Sequence, residues 1–148
     1  VSALYPEDGS PTTLRGLELL DAVIEHVTAH PETWNQQTWA HQTKCGTAMC
    51  IAGHAVAAAG ATLRFRTDGH AFYCKWPDDT AQRGIRDVAE DLFDIERVHL
   101  LDEDGDDEWA SVLLFAPGND LDDVKRVRDE IAAKLGQPLR YTEAVDRG

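Results

Sequence analysis

Cysteine is scarce in this chain, and its scarcity excludes whole classes of architecture. Three cysteines are an odd number and too few for a disulfide scaffold, so free thiols in a reducing compartment are the expectation. No Cys-x-x-Cys pair occurs, which leaves a thioredoxin-like centre without its motif. No apolar run reaches the roughly 18 residues that cross a bilayer. The opening residues, Val1 to Asp8, lack the basic and apolar regions of a signal peptide, and a cytoplasmic protein with no membrane partner is expected. Glycine-rich phosphate loops and an H-E-x-x-H zinc motif are missing too.

Positive charge is also in short supply. Lysine and arginine number 14 against 27 acidic residues, for a net charge of -13. The whole excess lies between Asp78 and Asp123, where sixteen acidic residues face only Arg83, Arg86 and Arg97. Such a field repels a nucleic-acid backbone, so direct DNA or RNA binding is not expected, whereas a basic protein partner suits it. A well-solvated acidic face that serves only solubility is the plainer reading. At 148 residues the chain is long enough for one globular domain, residues 1–148, with a core over about 10–136 and a loosely ordered tail over 137–148.

What is present is organised around Cys45 to Gly60, the one long run almost free of charge. A helix apolar on every side belongs inside a fold. The spacing predicts that helix over Ala48 to Ala59, capped by Thr47 and ended by Gly60, and thin because it is rich in alanine. Ser10-Pro11 signals an earlier helix, whose stripe Leu17, Leu20, Ile24 and Val27 should stop at His30, ahead of Pro31. The segment 35–44 has loop chemistry, clamped to the central helix by Trp34 and Trp39. Alternation of Leu63, Phe65, Phe72, Cys74 and Trp76 about Thr67-Asp68-Gly69 predicts a β-hairpin.

A third helix follows through Ile85, Val88, Leu92 and Phe93, then a short fourth over about 94–101. The acidic run Asp102, Glu103, Asp104, Gly105, Asp106, Asp107, Glu108 comes next. It fails as an EF-hand, because taking Gly105 as the invariant glycine puts Leu100 and Ser111 at ligand positions. It reads as an exposed loop and as the candidate partner surface. A helix through Leu121, Val124, Ile131 and Leu135 closes the pattern, capped by Asn119 or Asp120. The expected fold is therefore mostly α (α+β), a small helical bundle around a buried central helix with one packed hairpin.

Chemistry is confined to few residues. Cys45 precedes the central helix, Cys50 lies in its first turn, His54 one turn on, and Cys74 on the core face of the hairpin. Together they could form a structural Cys3His zinc site. Equally they could be buried thiols that behave as small hydrophobes, or, for Cys45 and Cys50, thiols activated at a helix N-terminus. His26, His30, His41, His70 and His99 form no spaced motif. No catalytic constellation is complete, and an enzyme is not the favoured reading.

His30-Pro31-Glu32-Thr33-Trp34, Cys45-Gly46-Thr47-Ala48-Met49-Cys50-Ile51-Ala52-Gly53-His54-Ala55, Asp87 to Leu92 and Leu114 to Leu121 occur in an order that resembles a family of small actinobacterial and actinobacteriophage proteins with no assigned activity. The resemblance implies a compact helical domain and a phage or mobile-element setting. It maps the two cysteines of the family's motif onto Cys45 and Cys50 and leaves Cys74 outside it. Two functions follow as expectations. The first is a non-enzymatic acidic protein that binds a basic protein partner; the second is a zinc-stabilised or thiol-active protein built on Cys45, Cys50, His54 and Cys74.

Overall fold

The charge-free run folds as two elements. The computed structural model describes residues 4–44 and 46–142, and in it β1 (Ala40–Thr43) and β2 (Gly46–Met49) form an antiparallel hairpin before helix α2 (Ile51–Ala58) begins. Ala48 and Met49, read as helical, are strand residues opposite His41 and Ala40. The N-cap is Cys50, not Thr47. An unbroken apolar stretch has no period to separate strand from helix, so the hairpin was concealed by its own composition. Cys45 lies outside the described residues.

A second hairpin stands where alternation predicts it: β3 (Thr62–Phe65) pairs with β4 (His70–Lys75), with a bulge between Arg64 and Phe65. β4 joins the two hairpins into one antiparallel sheet of order β2-β1-β4-β3. Along the edge that takes β1, it also pairs with the short β5 (Arg83–Gly84). The expectation of a mostly helical bundle is therefore corrected to α+β, in which five helices accompany this antiparallel sheet and a further two-stranded hairpin among the described residues. Sequence patterning missed β1 and β2 because they alternate poorly, and β5 because it is only two residues long.

Helix α1 (Gly16–Ala29) starts six residues beyond Ser10. The intervening chain is used elsewhere: the Thr12 N–H donates to the Ala58 carbonyl at 2.8 Å, satisfying a group left over at the end of α2. Pro11 meanwhile covers Gly60, whose φ of +99° suits glycine. Helix α3 (Ile85–Leu92) ends at Asp94, which turns left-handed. The helix expected over 94–101 is absent. β6 (His99–Leu101) pairs there with β7 (Asp107–Trp109), and the acidic run is the exposed loop between them. Helices α4 (Ala110–Leu114) and α5 (Leu121–Lys134) follow, the latter with Asp120 and Asp123 in a reciprocal capping box.

α2 is the centre of the core, with Ile51, Ala52, Ala55 and Val56 fully buried. α1 and α5 are joined by a buried ion pair: Arg128 grips both oxygens of Asp21 at 2.7 and 2.9 Å, and reaches Asp129 at 2.9 Å. Asp129 in turn accepts N–H groups from Arg140, Tyr141 and Thr142, which ties the first residues of the segment read as a tail to the helices. Burial alone would raise the Asp129 carboxyl, but these N–H donors hold it at about 2.

Two outcomes are expected. A Cβ on Gly53 would lie 2.0 Å from the Trp39 carbonyl oxygen and 2.9 Å from Met49 Cβ. Gly53→Ala should thus destabilise the protein by about 3 kcal/mol, read as a lower urea midpoint. Asp129→Ala leaves Arg128 and three N–H groups short of an acceptor and should cost about 3 kcal/mol. Because the folded Asp129 pKa lies below its unfolded value of 3.8, its stabilisation is intact above that pH. It fades as pH falls towards 2, and the variant should lack this component of acid sensitivity.

Candidate functional site

Of the four residues read as zinc ligands, Cys50, His54 and Cys74 can be placed, and among the described residues they form no cluster of ligand atoms. His54 is 1% exposed on α2, with Nε2 2.8 Å from the Thr33 carbonyl and Nδ1 3.3 Å from the Tyr5 hydroxyl. A carbonyl only accepts, so Nε2 carries the proton and the bare Nδ1 accepts from Tyr5. Both nitrogens are thereby engaged. Cys50 Sγ faces the Trp39 carbonyl at 3.8 Å, and burial pushes its thiol up to about 11. At neutral pH it is a thiol rather than an activated nucleophile. Cys74 is buried on β4, and burial raises its thiol as well. Cys45 falls outside the described residues.

Histidines that sequence spacing treats as scattered meet in space. The His26 ring lies 4.9 Å from that of His30 and 5.3 Å from that of His54, with Tyr5 edge-on to His26 at 4.8 Å. One helical turn brings His26 and His30 together; the approach of α2 to α1 adds His54. Burial, reinforced by the neighbouring His30, lowers the His26 pKa. Burial also drives His54 down to about 4, against the opposing effect of the Thr33 carbonyl. Both shifts favour neutral imidazoles at His26 and His54, which act as packing and hydrogen-bonding groups.

Three of the acidic residues do converge. In the β6–β7 loop, Asp102 Oδ1 accepts N–H groups from Asp104 and Asp106, both at 2.9 Å. The turn brings oxygens of Asp102, Asp104 and Asp106 within 4.8 Å of one another. Glu103, Asp107 and Glu108 flank them, with Asp107 2.8 Å from His99 Nδ1. Beside the loop runs a groove of about 460 Å³ lined by Leu101, Asp102, Asp104, Leu113, Val127 and Glu130. Leu101 is 66% exposed at its edge. Apolar floor and acidic rim thus occur together, a juxtaposition that needs β6, β7, α4 and α5 assembled and has no local signature.

A second cavity, of about 290 Å³, opens where β1 and β4 meet the start of α2. Its walls include Trp39, Phe72 and Phe115, and its polar lining includes Gln37, Thr38 and His70. Gln36, 7% exposed, holds this corner together. Its carbonyl accepts from Trp34 Nε1 at 3.1 Å and from the Ile51 N–H at 3.3 Å, and its amide donates to the Leu114 carbonyl at 3.0 Å. The sequence signal for this region was available but easily overlooked. From Thr33 to Pro77 the only acidic residue is Asp68, against Lys44, Arg64, Arg66 and Lys75.

His54 makes stability pH-dependent in a defined direction. Its folded pKa lies below its unfolded value of about 6.5, so its contribution is complete above that pH and is lost as pH falls towards 4. Between pH 6.5 and 5 the loss should be about 2 kcal/mol, seen in urea midpoints, and much reduced in His54→Gln. No family model matches the chain, and neither a curated protein nor a solved structure matches it.

Proposed function

We propose that this protein is a non-enzymatic interaction protein whose acidic groove takes a basic, amphipathic segment of a partner protein, in the phage-related setting that the motif resemblance implies. The observation that carries this reading is the joining of an apolar floor, Leu101, Leu113 and Val127, to the rim of Asp102, Asp104 and Glu130. Lysine or arginine side chains would meet the carboxylates while leucine-like side chains cover the floor. Arg126, the one cation lining this groove among the described residues, is already engaged, 3.1 Å from Asp123 and 3.8 Å from Glu130. The rim therefore offers charge that a partner can neutralise. The zinc or thiol reading draws less support, because His54 has both nitrogens engaged and the Cys50 thiol is raised by burial.

The test uses a labelled synthetic helix of alternating lysine and leucine faces. It should bind at low salt and release as ionic strength rises. Replacing Asp102, Asp104 and Asp106 together by asparagine should weaken binding about tenfold, at roughly 0.5 kcal/mol per partly exposed pair. Leu101→Ser should weaken it without altering the salt dependence. Absence of binding at low salt, or full binding by the triple variant, would overturn the reading.

A further inference from the structure

The basic stretch that is nearly free of acidic residues builds most of the five-stranded sheet. It includes β1 to β4, and the second cavity opens at its corner. Local charge and shape there differ from the rest of the molecule. Phe72 is 40% exposed at the cavity wall, and the Arg66 guanidinium lies 4.9 Å above its ring, held in place by Asp68. Trp39 meets Phe115 edge-on at 5.8 Å, leaving an aromatic slot.

His70 supplies a defined polar edge. The Thr38 hydroxyl donates to the Ala40 carbonyl at 3.2 Å, so the 3.0 Å contact between Thr38 Oγ1 and His70 Nδ1 is a donation from the imidazole. Nδ1 thus carries the proton, and Nε2 is the nitrogen left for a ligand. The His41 ring is stacked on His70 at 4.0 Å and only 6° from parallel, which fixes the orientation of both. His41 and His70 are opposite residues of β1 and β4, so the sheet register creates the pair.

We propose that this cavity binds a nucleotide, a planar base carrying a phosphate. The base enters among Trp39, Phe72 and Phe115, where aromatic faces can stack on it. Its donor and acceptor edge meets Gln37, Thr38 and Nε2 of His70. The phosphate stays at the mouth, beside the Arg66 guanidinium that lies over the Phe72 ring. A volume near 290 Å³ is at the small end of ligand pockets and suits one ring system rather than a larger cofactor. A single phosphate also meets little of the repulsion that the net charge of -13 imposes on a long polyanion. The ligand is thus a free nucleotide or the end of a single strand, which share this chemistry.

Titration calorimetry and amide chemical-shift mapping decide the matter, with adenosine and uridine 5′-monophosphates, the matching nucleosides, inorganic phosphate and a short single-stranded thymidylate as probes. At least one monophosphate should bind, more tightly than its nucleoside or phosphate alone, with shifts centred on residues 36–39 and 70–72. Phe72→Ala should weaken binding about tenfold, as loss of a stacking ring commonly does. Tyr73→Ala, on the same strand but not lining the cavity, should leave it unchanged. Circular dichroism of both variants verifies that the sheet is intact, which exposure of Phe72 favours. Tighter binding of the oligonucleotide than of the monophosphates assigns the site to a strand end, and equal or weaker binding to the free nucleotide. No binding up to about 10 mM, equal binding of nucleoside and monophosphate, or full binding by a folded Phe72→Ala would overturn the proposal.

Discussion

The Trp39 carbonyl lies so close over Gly53 that no side chain fits between them, and much of the structure depends on this contact. With no side chain at Gly53, the chain entering β1 lies directly on α2. That contact places the β1–β2 hairpin across the start of the helix, where the Cys50 N–H can reach the Thr38 carbonyl at 3.1 Å and the Ile51 N–H can reach Gln36. The first turn of α2 has donors without helical partners, and these neighbours satisfy them. The aromatic cavity is the space left at the same corner. One glycine therefore sets the position of a helix, the entry to a sheet and the shape of a cavity.

Several polar groups inside the fold bind defined partners across distant segments. Arg128 with Asp21 and Asp129 joins the first and last helices, and Gln36 joins three separate segments. A buried ion pair stabilises little compared with an apolar contact of the same size, yet breaking one is costly. Such groups act mainly to exclude alternative arrangements. His54 belongs to the same category. Its tautomer follows from a carbonyl that can only accept, and its neutrality follows from burial, so it serves the packing of α2.

Charge is partitioned as sharply as polarity is buried. The acidic excess falls on the β6–β7 loop and the helices around it, and the sheet is built from a stretch with a small basic surplus. The proposed basic partner and the proposed nucleotide therefore address different surfaces. A net charge of -13 describes neither surface by itself, because screening over roughly 8 Å makes the nearby side chains count more than the total.

The elements with a clear period were legible: the α1 stripe that ends before Pro31, the β3–β4 hairpin with its Thr67-Asp68-Gly69 turn, the α3 stripe, and α5 with its acidic first turn. The acidic loop was also legible as exposed, since seven consecutive polar or glycine residues cannot be buried cheaply. β1, β2 and β6 were not, because Ala48-Met49 looks equally good as helix or strand and His99-Leu100-Leu101 is too short to show alternation. By itself the sequence determined where apolar stripes, caps and charge lie, since these depend on residues a few positions apart. Only the tertiary structure decided which histidines meet, that His54 turns both nitrogens inward, and that Trp39, Phe72 and Phe115 share one cavity. Those juxtapositions join residues far apart in the chain, and the close contacts that create them, such as a carbonyl lying on Gly53, leave no local period to read.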